Sequence, residues 1–389
     1  MIGSLRAVYF FYYAGIGTFL SYFAPYLRGL GFTGAQIGAV TMAAQLVSAS
    51  AALAWGSTAD RRSMPASILR LCCAGAFVAL CGLPFARTPL QVGAVLVAAS
   101  IFGGAVVPLV DSVAVSALGM GYARTRLFGS LGFVIAAQGA GLLLSLRGDR
   151  PADPAMPLLY LLFMLGTAAA ARTAPDVKPG KGPPDLRDAL ALLGNGPLLA
   201  LLAVCTLHWA TCAPYHLLFG VLVRDRALPS SLTGLCMATG VLAESVALFA
   251  FPALERRFAL RTLFAASFAT TILRWLLVAR ASSPAALVLL QLLHGLTFGV
   301  FWGCAVEAMA RCVPGHLRAT GQAVFSAVVF GAGNALGYGL AGAGYGRIGD
   351  VAPLFTIAAA VEVVPLLMVL ALARPLALAR SVMPAPHAG

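Results

Sequence analysis

The sequence predicts an all-α protein embedded in a membrane, built as two bundles of six helices each. Three observations carry that prediction. Hydrophobic residues fill 60% of the 389 positions and charged ones only 10%, with mean hydropathy +0.90, a balance far from that of water-soluble domains. The apolar runs are continuous over roughly 20 residues, the span of a membrane helix, whereas barrel strands would alternate lipid-facing and lumen-facing residues. Finally, the chain repeats itself about a single hydrophilic interruption near its middle, Arg172 to Asp188 (RTAPDVKPGKGPPDLRD).

The repeat shows in two landmarks. Asp60-Arg61-Arg62 is answered 195 residues later by Glu255-Arg256-Arg257; Phe102-Gly103 followed by Asp111 is answered 196 residues later by Phe298-Gly299 followed by Glu307. Internal duplication marks many carrier folds, with the substrate site between the repeats. The expected organisation is a first bundle over 1–171, a linker over 172–196, a second bundle over 197–373 and a tail over 374–389.

Taken in order, helices are expected at 5–28, 35–57, 65–86, 90–117, 126–147, 154–171, 197–223, 230–253, 260–279, 283–310, 319–345 and 351–373. Met1 to Leu5 lacks the basic start of a cleaved signal, so the first run reads as a retained helix. Basic residues fall between the runs and alternate in density. Arg6, the Arg61–Arg70 and Arg124–Arg126 groups, the linker, the Arg256–Arg261 group, Arg311, Arg318, Arg374 and Arg380 place 17 on one side, against 8 on the other. This asymmetry predicts an inner cell membrane location with both termini and the linker in the cytoplasm. It also accounts for the net charge of +13 without nucleic acid as a partner. The eight cysteines lie in or at the ends of apolar runs without metal-ligand spacing, and read as small packing residues. Helices 5 and 11 are rich in glycine (Gly129, Gly132, Gly139, Gly141; Gly331, Gly333, Gly337, Gly339), which suits close helix contact, expected here between the halves.

Charges inside the hydrocarbon region cost at least a few kcal/mol each, so they normally face a cavity and pair. Five qualify: Asp111, Glu244, Arg274, Glu307 and Glu362. Counted at ~1.5 Å per residue, Glu244 lies roughly 16 Å in from Glu255, and Arg274 roughly 20 Å in from Arg261. Opposite charges at similar depth on adjacent antiparallel helices predict a Glu244–Arg274 ion pair, serving either as a proton-linked switch or as static neutralisation. Asp111 with Arg126 is expected to latch the cytoplasmic side, with Glu307 as the repeat mate of Asp111 and the Asp60-Arg61-Arg62 loop as a second gate; plain helix-end pairing is the alternative.

His208, Thr211, Cys212, Tyr215 and His216 share one face of helix 7 at 100° per residue, a polar stripe that predicts an aqueous cavity. Histidines satisfied by neighbouring helices are the bland alternative. His294, near mid-membrane, could relay a proton. Of the helix 1 tyrosines, most suit interfacial belts, but Tyr12 and Tyr22 are candidates to line the cavity and stack on an aromatic solute. The chain has no nucleotide loop, metal cluster, nucleophile elbow or dinucleotide fingerprint. An ion gradient, rather than a cofactor, is therefore the expected energy source.

Several segments resemble the major facilitator superfamily, and more narrowly the 3-phenylpropionate permease group, related to lactose and nucleoside proton symporters. They are His208-Trp209-Ala210-Thr211 to Tyr215, Gly240 to Glu244, Leu273-Arg274-Trp275, Gln291 to Phe298, Pro108 to Asp111 and Arg126 to Phe133. The resemblance spans nearly the whole chain. It implies the major facilitator fold, alternating access and proton coupling, with Asp111, Arg126, Glu244, Arg274 and His294 at positions matching the group's motifs. Trp302 stands where some relatives have a second histidine, and Ser63 and Met64 replace the usual glycine and second basic residue of the loop motif. The combined expectation is a monomeric proton symporter importing a small aromatic monocarboxylate, with Glu244, His294 and Arg274 in coupling. Asp60, Arg61, Asp111, Arg126 and Glu307 would gate; Tyr12, Tyr22, His208, Thr211, Tyr215 and Trp302 would bind solute. Efflux by proton antiport, and a non-transporting sensor or assembly factor on a carrier fold, are the alternatives.

Overall fold

The structure is a computed structural model and describes residues 2–176, 192, 194–314 and 317–371. Twelve helical segments follow one another among the described residues: α1 Ile2–Gly29, α2 Gly34–Arg62, α3 Pro65–Phe85, α4 Pro89–Leu118, α5 Tyr122–Leu146, α6 Ala155–Ala171, α7 Gly196–Asp225, α8 Ser230–Arg257, α9 Leu260–Arg280, α10 Pro284–Cys312, α11 Thr320–Ile348 and α12 Ala352–Ala371. All except α6 are long and apolar enough to cross a membrane; α6, with 17 residues, is apolar but short. Their bounds follow the apolar runs within a few residues. Most of the expected linker, and all of the tail at 374–389, lie outside the described residues.

Helix starts carry local signals that satisfy backbone groups which lipid cannot. Thr33 with Gln36 and Thr88 with Gln91 form capping boxes, while Asn195 and Ser283 cap α7 and α10. Proline occupies the first turn of α3, α4, α7 and α10, where its missing N–H costs nothing.

Besides the 3-10 turns at Leu83–Phe85 and Leu290–Leu293, four segments among the described residues depart from a regular helix. In α4 the helix breaks at Gly104, where an added Cβ would lie 2.7 Å from Ser48 Oγ, so the glycine lets α4 lean on α2. In α7 it breaks at Cys212, just before Ala213-Pro214. Pro214 offers no N–H to the preceding turn, which releases the ladder there. Wide π turns occupy Gly295–Val300 of α10 and Ser326–Gly333 of α11.

Within the first six helices α1 packs on α5 and α6, and α2 and α3 pack on α4; within the last six α9 packs on α12, and α7 on α11 and α12. Between the two groups α2 packs on α11, α5 on α8 and α1 on α7. The glycine-rich helices α5 and α11 thus do cross the interface, but onto α8 and α2 rather than onto each other. Gly38 of α2 meets Gly342 of α11 so closely that a Cβ on Gly38 would stand 2.7 Å from the Gly342 Cα.

The hydrophobic core falls into three clusters, and their placement describes the molecule. One joins both halves and includes Tyr26, Ile37, Leu144, Phe219, Trp275 and Phe355. The other two stay within single halves, one around Leu5, Leu69 and Val110, the other around Leu201, Phe264 and Phe301. The shared core lies at the face opposite the described chain ends, and the separate cores lie at the face that carries those ends. Below, these are the opposite face and the terminal face.

Candidate functional site

Between the halves lies a cavity of about 550 Å³. Its walls come from both groups of helices: Tyr12, Phe19, Arg126, Phe133 and Tyr160 on one side, Trp209, Tyr215, His216, Glu244, His294 and Phe298 on the other. Toward the opposite face it is closed by the shared core and by polar contacts between halves. Arg28 pairs with Asp225, Arg224 reaches the Asp149 carbonyl, and the Asp149 carboxylate accepts the Ser230 N–H at 3.2 Å. That last contact caps the start of α8 from the other half of the molecule, where the positive end of the helix dipole favours an anion.

The second-half wall is built on Arg274. The residue is 1% exposed, and acceptors meet both terminal nitrogens of its guanidinium, while Nε is buried without a partner. Nη1 reaches His294 Nδ1 and Thr297 Oγ1, each at 3.0 Å, and Nη2 reaches Gln291 Oε1 at 2.6 Å. Its plane also lies over the Tyr215 ring at 4.5 Å and the Trp275 ring at 4.8 Å, favourable for a desolvated cation. A guanidinium always donates, so Nδ1 of His294 accepts and a neutral ring carries its proton on Nε2. That nitrogen faces Glu244 Oε2 at 3.8 Å.

The expected Glu244–Arg274 ion pair is therefore corrected: His294 stands between the two charges. The reason is a close approach of helices. Gly295 and Gly299 bracket the π turn of α10, and a Cβ on them would lie 2.8 Å from the Ala243 carbonyl and 3.0 Å from that of Glu244. Without side chains there, α10 presses on α8 and inserts His294. Arg274, buried away from the cavity lining, is also not placed to meet a solute directly.

The expected stripe on α7 is split by the break at Cys212. Tyr215 and His216 face the cavity, whereas His208 and Thr211 do not line it. They turn to α12 instead: His208 Nδ1 lies 2.6 Å from Glu362 Oε1, and Thr211 contacts Glu362 Oε2. Trp302 is also withdrawn from the cavity, packed on Phe325 and Phe330. Tyr22 belongs to the seal at the opposite face, donating to the Ala137 carbonyl at 2.6 Å. Its ring is displaced from the cavity because α1 carries it past the midplane. Tyr12 does line the cavity, with its hydroxyl on the Gly103 carbonyl at 3.1 Å.

On the first-half wall Arg126 lies 3.7 Å from Asp111, contacts the Tyr13 hydroxyl and sits over the Tyr13 ring at 4.3 Å. Tyr9 donates to Asp111 at 2.5 Å. This pair joins α4 to α5 inside one half and does not bridge the halves. Its repeat mate behaves likewise: Arg311 holds Glu307 at 2.8 Å and Glu255 at 3.1 Å within the second half. Asp60 and Arg61 end α2 at the terminal face, outside the cavity lining. Sequence reasoning did not single out Gln291 and Thr297, the neutral partners of Arg274; uncharged polar residues in an apolar run give no signal of which charge they serve.

A helical bundle with a cavity between two duplicated, membrane-crossing halves defines a membrane transporter of the major facilitator type. Residues 2–357 match the MFS_1 like family, and the chain belongs to that family. It is 29% identical over 338 residues to the maltose permease of Geobacillus stearothermophilus, covering 85% of this chain and 83% of that one. To the probable 3-phenylpropionic acid transporter of Escherichia coli (strain K12) it is 27% identical over 337 residues, covering 83% and 86%. The nucleoside transporter NupG superposes with a TM-score of 0.84 at 19% identity, covering 96% of this chain and 99% of the other. The relatives are transporters rather than enzymes.

Proposed function

We propose that this protein imports a small organic solute together with a proton, by alternating access across an inner cell membrane, and works as a monomer. The observation that carries this reading is the Glu244 carboxylate, which stands on the cavity wall at the midplane with His294 as its neighbour. A carboxylate in that position is costly to leave charged and exposed to lipid-level surroundings, so gaining a proton and gaining a solute can favour the same rearrangement. Arg274 supports the role from behind. It fixes the His294 ring so that Nε2–H points at Glu244, and its own charge stays in place throughout.

In the sequence, arginines and lysines are split 17 to 8 between the two sides of the helical runs, which supports a cytoplasmic position for both termini and an inward-facing reading of this conformation. The Asp111–Arg126 pair at that mouth is then available to regroup when the halves close there. Aromatic walls with Arg126 as a lining cation suit a planar ring bearing a carboxylate. A second reading, a sugar, is favoured by the amides and hydroxyls of Gln45, Ser48, Ser130 and Asn334 in the same lining.

The test is external pH in a weakly buffered suspension of cells carrying the protein, after addition of 3-phenylpropionate, maltose or a nucleoside. Alkalinisation on one compound establishes proton symport and its solute class. Solute uptake without proton movement, driven instead by sodium, would replace the proton; acidification tied to outward flux would replace import by antiport.

A further inference from the structure

Away from the cavity, two titratable side chains of the second half face each other in full shielding. His208 of α7 and Glu362 of α12 are both 0% exposed. Their ring nitrogen Nδ1 and carboxyl oxygen Oε1 are 2.6 Å apart. The other carboxyl oxygen, Oε2, contacts the Thr211 hydroxyl, and that hydroxyl also lies 2.7 Å from the His208 carbonyl. A hydroxyl has a single proton to donate. Were Glu362 a bare carboxylate, Oε2 and the His208 carbonyl would compete for it.

A proton on Oε2 removes the competition. Glu362 then donates to Thr211, Thr211 donates to the His208 carbonyl, and the Nδ1–H of a neutral His208 donates to Oε1. The remaining ring nitrogen, Nε2, becomes an acceptor facing the Cys212 thiol at 4.0 Å. Every polar atom is used, the Thr211 hydroxyl donates once, and neither side chain is ionised, the state that full shielding in a membrane interior favours. Phe268 of α9 and Phe301 of α10 close the sides, with ring centroids 4.9 and 4.2 Å from that of His208. Besides Glu362, the titratable groups nearby along α7 are Cys212 and, one turn further on, His216.

We propose that His208–Glu362 is a second proton-binding site, separate from Glu244, which holds a proton on Glu362 in this conformation and exchanges it with the cavity by way of His216. The proposal rests on the proton-coupled reading above. His208, Cys212 and His216 are spaced four residues apart across the break in α7, and His216 lines the cavity. When the break moves, Thr211 parts from Oε2, the proton passes from that oxygen to cavity water at His216, and a carboxylate held by Nδ1–H remains. That carboxylate carries a net negative charge beside the junction which sets Trp209 and His216 in the cavity wall, so proton loss and movement of α7 are linked.

Infrared difference spectroscopy of purified protein in lipid, stepped in pH with no solute present, reads protonated carboxyls by their C=O stretch. A component present near neutral pH should vanish in Glu362→Gln, persist in Glu244→Gln and shift in Thr211→Val, where the hydroxyl partner is gone. Its shift on transfer to heavy water should be severalfold slower in His216→Phe. No Glu362-dependent component, in variants whose circular dichroism and melting match wild type, overturns the site; an unchanged exchange rate in His216→Phe overturns the route. The Glu244-dependent component is read separately, so loss of either reading is recognised without the other.

Discussion

Arg274 is the residue on which the second-half wall depends, and its surroundings explain why no other cation fits. Three acceptors on α10 and two aromatic faces are arranged for a planar fork. Arg274→Lys keeps the charge but reaches fewer of those acceptors; Arg274→Ala leaves these neutral groups unpaired in a buried site, at about 1–3 kcal/mol for each. Thermal unfolding in detergent should place the alanine variant well below the lysine variant, and both below wild type. Glu244→Gln removes an ionisable group while keeping shape. Uphill accumulation should be lost with solute counterflow retained; accumulation at wild-type level would show that coupling resides elsewhere. The members of this site were legible in the sequence because ionisable residues in apolar runs are rare and expensive. Their pairing was not. Residue spacing along a helix gives depth in the membrane, but the direction each side chain faces depends on how neighbours rotate, and the glycine faces of α10 that admit His294 beside Glu244 act only through contact.

At the scale of elements, twelve apolar runs made the helices readable almost to their ends, since length and hydropathy alone specify a membrane span. The interruptions were harder to see. Pro214 was visible, yet a stripe of polar residues running through it suggested one continuous face; the break sends His208 and Thr211 to α12 and leaves Tyr215 and His216 at the cavity. The π turns of α10 and α11 have no sequence mark stronger than their glycines. The start of α8 offers a direct test. Pro229 gives it no side-chain cap, and the Asp149 carboxylate from the first half supplies the missing acceptor. Asp149→Ala should weaken closure of the opposite face by about 1 kcal/mol. Labelling of a cysteine introduced at Tyr22 by a membrane-impermeant thiol reagent should rise several-fold in the Asp149→Ala background. Equal labelling in both backgrounds would mean that the contact does not help hold the halves.

For the whole molecule, the core divides into one shared and two separate clusters, so the halves share apolar burial at one face only, as the proposed alternating access would require. Reversing the arrangement requires the shared cluster to divide and the other two to meet. A bulkier seam should push the balance that way. Gly38→Val places side-chain atoms where the Gly342 backbone now lies, an overpacking cost of about 1–3 kcal/mol borne by the closed seam alone. Spin labels on the opposite-face ends of α2 and α11 should therefore report longer separations in Gly38→Val than in wild type, and unchanged separations would place the hinge of opening elsewhere.

Where Gly38 of α2 crosses Gly342 of α11, the touching surfaces have no side-chain torsions to fix. Closure there forfeits little rotamer entropy, and reopening recovers little. Two such faces can part and rejoin many times without searching for a register, so the speed of cycling at this seam should depend on the rim charges Arg28 and Asp225 and on lipid viscosity more than on any repacking of side chains.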